Sequence, residues 1–273
     1  MNVNSKDLRK LQFCQLKILK EVHRICVKNN IKYFLSDGTL IGAVRHHGFI
    51  PWDDDLDIGM LREEYEKFCE ICKTDLSDDY FFQTIDTDNC YANPFGKMLL
   101  NGTVFIEANA EKSNKVTGVN IDIFPYDYIP NEKYKQKIHD KFARLLKNSY
   151  WTKKKYRAIE KFTLKLFFHY IIYRTISLFP VILIKNTWLN ILKKYLYLSN
   201  NDNCLVTKFG GNYFNNRTLK SNLNEVILLN FEDEMFYVPK EYDTVLTGLY
   251  GNYMELPPVE KRIPQHNLVE YKF

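Results

Sequence analysis

The sequence predicts a mixed α/β (α+β) domain, in which helices flank a mixed sheet and a basic helical insertion interrupts it. Three observations carry that prediction. Apolar residues recur at steps of three and four near the N-terminus, a segment around residue 55 alternates polar and apolar residues, and charge is divided unevenly along the chain. The net charge is only +5, yet residues 132–220 hold 19 Lys/Arg against 4 Asp/Glu, or +15, leaving 19 against 29, or −10, elsewhere. An acidic body with a basic middle is therefore expected. A length of 273 residues suits one large domain or a core carrying an insertion. With 45% apolar and 26% charged residues the chain has the composition of an ordered globular protein. Its 19 Tyr and 19 Phe favour wet-edged cores, sugar-binding surfaces or membrane-facing surfaces.

Leu11, Cys14, Ile18, Val22 and Ile25 define one face of a helix over residues 6–28, ended by Asn29-Asn30. Ile31 to Leu35 reads as a buried strand. Ser36-Asp37-Gly38-Thr39 then turns the chain into a short helix, Leu40 to His46, closed near Gly48. Pro51 prevents its continuation, and Asp55 to Met60 alternates as a half-buried strand should. A helix over Glu63–Lys73 follows, then strand-like runs at Tyr80–Ile85, Lys97–Leu100, Thr103–Glu107 and Val116–Phe124. Pro125 and the Tyr126–Pro130 stretch read as a boundary. Residues 132 to about 199 are expected to be helical; beyond them a strand at Met235–Val238 and a helix from Lys240 to Leu249 stand out. The resulting division is a core at 1–130, a helical subdomain at 131–200 and a C-terminal segment at 201–273 that completes the core.

The six cysteines show no disulfide framework, and Met1 to Lys10 shows no export signal, so reduced thiols and a cytoplasmic setting are expected. Cys69-Glu-Ile-Cys72 spells C-x-x-C within a helical pattern. No second pair or neighbouring His completes a zinc site, so both thiols are read as packing on one helix face.

The segment Trp52-Asp53-Asp54-Asp55-Leu56-Asp57-Ile58 carries the chemistry. Strand residues i and i+2 point the same way, so Asp55 and Asp57 are expected to share one face while Leu56 and Ile58 enter the core. Paired carboxylates repel unless a cation lies between them, and hard oxygen donors suit Mg²⁺ or Mn²⁺. A solvated acidic loop is the plainer alternative, opposed by the alternation with Leu56 and Ile58. Upstream, Gly38-Thr39 lies between a strand and a helix N-terminus, where backbone N–H groups suit an anion. A Gly turn followed by Asp-hydrophobic-Asp is the pattern of the nucleotidyltransferase superfamily, which often takes a third carboxylate from a later strand. Asp122 is the candidate, as metal ligand or general base, the alternative being a hydrogen-bonded strand-end Asp.

The stretch from Gly38 to Gly59, containing Arg45-His-His-Gly-Phe-Ile-Pro-Trp-Asp-Asp-Asp-Leu-Asp-Ile-Gly59, resembles the signature of the LicD family, whose distant relatives include fukutin-related protein. Three other segments fit: Lys97 ahead of Thr103, Ile121-Asp-Ile-Phe-Pro125, and Leu249 to Pro258 followed by Arg262 and His266. Asp37, where a small residue is expected, and Asn252, where Asp is commoner, depart from the pattern. The resemblance implies transfer of a phospho-alcohol from a CDP-activated donor to a glycan hydroxyl with release of CMP. CDP-choline is the best-known donor, and fukutin-type relatives use CDP-ribitol. Arg45, as a bidentate fork, and Lys97, as a point charge, are candidates for phosphate contact, the alternative for each being a surface cation. Asp53 is a direct or indirect metal contact, Trp52 either a stacking surface for a base or quaternary ammonium or a core-packing residue, and Arg262 and His266 contributions from the tail. His46 and His47 read as closing the helix. Two other readings stay open: attack on the α-phosphate of a nucleoside triphosphate with release of pyrophosphate, and an inactive member that binds glycan or membrane.

The run Leu166 to Ile184 is apolar but interrupted by His169, Arg174 and Pro180, which suits a buried or interfacial hairpin better than a membrane span. With the surrounding lysines it raises peripheral contact with an anionic leaflet through residues 150–195, where a lipid-linked acceptor would be reached. No nucleic-acid recognition motif accompanies the basic charge.

Overall fold

The computed structural model describes residues 5–107, 116–155, 164–208 and 216–273. Helix α1 (Ser5–Lys28) buries Leu8, Leu11, Leu16, Ile18, Leu19, Val22 and Ile25. It closes in a Schellman motif: Asn30 takes φ 51°, and Ile31 N–H bonds to Cys26 O at 2.9 Å. The strand expected over 31–35 is short, β1 (Phe34–Leu35). Helix α2 (Asp37–Ile41) runs straight into a π-turn, Gly42–His46, that ends at His47 in the left-handed region. A Cβ on Gly42 would meet Gly48 O at 2.5 Å, so the π-turn folds back only because residue 42 lacks one.

Strand β2 (Asp57–Leu61) pairs antiparallel with β1 and leads directly into α3 (Arg62–Asp75). Strands β3 (Tyr80–Gln83) and β4 (Gly96–Leu100) form an antiparallel pair, and β5 (Val104–Glu107) leaves the sheet. Strand β6 (Asn120–Ile129) lies parallel to β2, with Asp57 opposite Asp122. Pro125 does not end it, contrary to the boundary expected there. On its other edge, among the described residues, β6 pairs with β4 through Ile123 and with β7 (Leu205–Lys208) from Tyr126 onward. Pro125 therefore falls at the change of partner, where its missing N–H is tolerated. Strand β8 (Arg217–Leu219) extends the sheet beyond β7, which itself lies beside β6; the rest of the order is β1-β2-β6-β4-β3.

After β6 come α4 (Lys133–Lys154), α5 (Leu164–Ile176), α6 (Val181–Leu192) and a 3₁₀ run, Lys193–Asn200. These helices have a core of their own, with Ala143, Tyr150, Ile184, Trp188 and Leu192 packed against Ile85 and Ala92. Part of the charge asymmetry is cancelled at this junction, where Lys185 pairs with Asp86 at 2.6 Å and Lys193 pairs with Glu66. The C-terminal segment holds α7 (Ser221–Asn224), the hairpin β9 (Val226–Phe231) and β10 (Glu234–Pro239), α8 (Tyr242–Tyr250), a 3₁₀ turn at Val259–Lys261, and β11 (Leu268–Lys272). β11 returns to pair with β5. All six cysteines are free thiols; burial pushes Cys69 up to about 11 and Cys72 higher still, as suits packing residues.

Candidate active site

The acidic run is held from both sides by main-chain contacts. Gln12 and Gln15 lie on the buried face of α1 and donate through Nε2 to Asp53 O at 2.9 Å and Asp54 O at 3.0 Å. Thr39 Oγ1 accepts the Asp57 N–H at 2.8 Å, so this buried hydroxyl positions the strand start. A Cβ at Gly38 would lie 2.9 Å from Asp53 Oδ2, which makes Gly38 the residue that lets the Asp53 carboxylate approach the turn. The regular strand begins at Asp57, two residues later than the alternation predicts, because residues 53–56 are fixed by these contacts and not by a ladder.

The carboxylates are crowded. Burial and the adjacent Asp55, to which Asp53 is hydrogen-bonded, push the Asp53 carboxyl well above the usual range. Burial, followed by the charges of Asp55, Asp37 and Asp122, does the same for Asp57, with Lys208 opposing. Asp122 is raised by burial and by Asp55 despite Lys97, whose Nζ lies 2.8 Å from Asp122 Oδ1 and 3.0 Å from Asn120 Oδ1. Asp55 is thus the shared neighbour of Asp53, Asp57 and Asp122. Two carboxylates within hydrogen-bonding reach must share either a proton or a cation. Beside them is a cavity of about 30 Å³ lined by Asp54, Asp55, Asp122, Glu107, Lys97, His266 and Gln15, whose Oε1 is buried without a hydrogen-bond partner in the described structure. These donors fit a hard divalent cation.

Among the described residues, the group of potential ligand atoms lying within 4.8 Å of one another is Asp53, Asp54 and Asp55. Asp57 and Asp122 fall outside it, so the expected triad of Asp55, Asp57 and Asp122 is brought together electrostatically but less tightly. Asp54 is committed elsewhere. It is buried and accepts the N–H groups of Gln265 and His266 at 3.1 and 2.9 Å, and His266 Nδ1 at 3.0 Å. Burial alone would raise the Asp54 carboxyl, but His266 and the two N–H groups hold it low; the bond to Asp54 in turn raises His266 to about 9. His266 therefore reaches the site as a cation pinned to the acidic run.

Arg45, a candidate for phosphate contact, donates through Nη1 to the carbonyls of Tyr253 and Glu255, the latter at 3.2 Å. Trp52 is partly buried against the core, and the Arg262 guanidinium lies 5.5 Å from its ring centroid. Lys208 and Tyr250 escaped the sequence reading. Lys208, nearly buried at the end of β7, pairs with Asp37, and Tyr250 donates to Asp37 Oδ1 at 3.2 Å. No motif marks Lys208, which is brought in only by the pairing of β7 with β6. Gln12 and Gln15 did carry a signal, since amides within the apolar stripe of a helix need buried partners.

A model of the LicD/FKTN/FKRP nucleotidyltransferase domain matches residues 30–166. The chain is 32% identical over 268 residues to the lipopolysaccharide cholinephosphotransferase LicD of Haemophilus influenzae, covering 95% of this chain and 96% of that protein. An uncharacterised protein of Rickettsia typhi is 53% identical over 55 residues, 20% of this chain and 18% of its own. The human ribitol 5-phosphate transferase FKRP is 40% identical over 55 residues, 19% of this chain and 11% of its own. The near-complete overlap with one relative, and the family match across α2, β2 and β6 where the carboxylates meet, agree with the geometry: the chain belongs to the LicD family and is a phosphotransferase of the LicD type.

Proposed function

We propose that this enzyme moves a phospho-alcohol, phosphocholine first among them, from a CDP-activated donor to a hydroxyl of a cell-surface glycan or its lipid-linked precursor, releasing CMP. The observation that carries the proposal is the group of carboxylates around Asp55, whose raised proton affinities express a need for positive charge. The full-length likeness to a lipopolysaccharide cholinephosphotransferase supports the choline donor and the glycan acceptor.

Asp55 and Asp57, with Asp122 opposite Asp57 and Asp53 hydrogen-bonded to Asp55, would hold Mg²⁺ or Mn²⁺. Such an ion supplies neutralisation of the diphosphate and of the charge that develops on CMP. In the transfer, the acceptor oxygen attacks the phosphorus that bears the alcohol, and the bridging P–O bond to CMP breaks. Asp122 serves either as a further ligand or as the base that takes the hydroxyl proton, a carboxylate made more basic by burial and Asp55 and tempered by Lys97. Lys97 and Lys208, paired with Asp122 and Asp37, place positive charge beside the carboxylates, as phosphate oxygens would require. Gly38 keeps space for the Asp53 carboxylate against the turn.

The test is CMP release from a panel of CDP-alcohols, with Mg²⁺ or Mn²⁺ and a glycan acceptor, run beside pyrophosphate release from CTP. CMP from CDP-choline, dependent on acceptor and metal, supports the proposal. Pyrophosphate from CTP with no CMP from any CDP-alcohol would replace it with nucleotidyl transfer.

A further inference from the structure

No single helix among the described residues is long and apolar enough to cross a membrane, but one bent pair meets the length and composition test together. It comprises His169–Ile176 and Val181–Asn200, turned by 112° at the break. The inward faces of these helices are already used, since Ile184, Trp188 and Leu192 pack with Ala143 and Tyr150 of α4. Their outward faces are apolar as well. Leu178 is 81% exposed, Phe179 56%, Ile182 54% and Leu183 52%, with Ile171 and Ile172 nearly half exposed. Six large apolar side chains in solvent within thirteen residues, at the tip of a helical hairpin, have no purpose in a protein surrounded only by water.

The tip is also prepared for an apolar medium. Lys153 Nζ donates to the carbonyls of Ser177 and Phe179 at 2.7 and 2.9 Å, and Ser177 Oγ donates to Arg174 O at 2.7 Å. The carbonyls of Arg174, Ser177 and Phe179 are thus satisfied internally, as backbone approaching lipid requires. The sequence through the tip is basic: the chain has no Asp or Glu between Glu160 and Asp202, while that interval holds six Lys and Arg, of which Lys185 and Lys193 pair with Asp86 and Glu66 and Arg174 is exposed. Lys153 and Lys155 add exposed positive charge from the end of α4.

We propose that the α5–α6 tip is a monotopic anchor for an anionic bilayer surface. Leu178 and Phe179, flanked by Ile171, Ile172, Ile182 and Leu183, enter the outer acyl region, and the basic residues behind them lie among the headgroups. The anchor is independent of the donor and acceptor proposed above.

Flotation with phosphatidylglycerol/phosphatidylcholine vesicles tests it, comparing the wild-type chain with Leu178→Glu/Phe179→Glu. Both positions are solvent-exposed, so the double variant keeps the wild-type melting temperature. The wild type is expected to float in a salt-sensitive manner, and the double variant to lose binding by about tenfold or more. In a second measurement, Phe179→Trp emission shifts to the blue with these vesicles and is quenched by brominated acyl chains. The proposal is overturned if the wild type stays in the bottom fraction, if the double variant floats equally well, or if purely phosphatidylcholine vesicles bind as strongly. Light scattering that shows self-association abolished by the double variant would assign the face to a second copy of the chain and also overturn it.

Discussion

Asp57 stands where three like charges converge, with Asp55 before it, Asp37 at the turn and Asp122 across the parallel pair, while Lys208 alone among its main neighbours opposes them. Without a cation the folded state bears that repulsion, which sets stability against function. Asp57→Asn is therefore expected to raise the melting temperature of chelator-treated protein, by roughly 2–4 °C for each 1 kcal/mol of repulsion relieved. If the proposed metal site and reaction hold, Mg²⁺ stabilises the wild type, and the same variant should lose that stabilisation and about 10²-fold or more in CMP release. An unchanged metal-induced shift by scanning fluorimetry would remove Asp57 from the cation site. Asp122→Asn separates proton transfer from metal binding. If Asp122 takes the proton, the metal-induced shift persists while CMP release falls about 10²–10⁴-fold and its pH dependence flattens. Loss of both shift and turnover would make it a ligand instead. The i, i+2 alternation made the burial pattern legible from the sequence, since Leu56 and Ile58 enter the core while Asp55 and Asp57 stay partly exposed. The commitment of Asp54 to His266 was not legible, because it depends on a tail more than 200 residues away along the chain.

Long-range pairing of this kind also decides which elements local pattern could reveal. Helix α1 was readable because its apolar stripe repeats over six turns, and α3 for the same reason. Strand β6 was cut short at Pro125 because proline normally ends a ladder, and only the change of partner from β4 to β7 makes it acceptable. The run Val226 to Phe231 was missed although it is almost wholly apolar, since a short apolar run has no period until its hairpin partner is known. Between α3 and β6 the link is ionic. At the start of α3, Arg62 is bound to Asp127 of β6 at 2.6 and 2.9 Å, with both residues buried. Arg62→Met leaves a buried carboxylate without its counter-charge and is expected to cost about 3–5 kcal/mol by urea denaturation. The double variant Arg62→Met/Asp127→Leu should recover most of that loss, and failure to recover would mean that the pair sets geometry beyond its charge. At the other end of α3, the Asp75 carboxylate accepts from Lys28, Asn29 and Arg24 of the α1 terminus, and these bonds hold its carboxyl at about 2, below the usual carboxylate range. A depressed carboxyl stabilises above its unfolded value and ceases to do so as the pH falls through the folded one. The difference in melting temperature between the wild type and Asp75→Asn should therefore be full above about pH 4 and close toward pH 2.

Across the whole molecule, the C-terminal tail ties the parts together. After the 3₁₀ turn at Val259–Lys261 it places Arg262 over Trp52, bonds Gln265 and His266 to Asp54, pairs β11 with β5, and brings the Tyr271 hydroxyl within 3.2 Å of Asp7 on α1. The sequence indicated the tail's relevance through the resemblance around Arg262 and His266, but not its means, because the contact is electrostatic and carries no local pattern. The basic middle was legible as charge alone; its packing on Ile85 and Ala92 and its pairing with Asp86 and Glu66 required the fold. Ending the chain at Lys261 separates two explanations of the tail. If it merely covers β5, its loss lowers stability and nothing at Asp54 modifies the effect. If it neutralises Asp54, truncation leaves that carboxylate beside Asp53 and Asp55 without the His266 cation and its two N–H donors, and Asp54→Asn in the truncated chain returns part of the loss because a neutral amide needs no counter-charge. The same Asp54→Asn change in the full-length chain should destabilise, since it leaves the His266 cation facing a neutral partner. That reversal of sign, read from the melting temperatures of four proteins, is the expected outcome. Equal destabilisation by Asp54→Asn in both backgrounds would show that the tail acts by coverage and that the cationic His266 has no part in holding the acidic run in place.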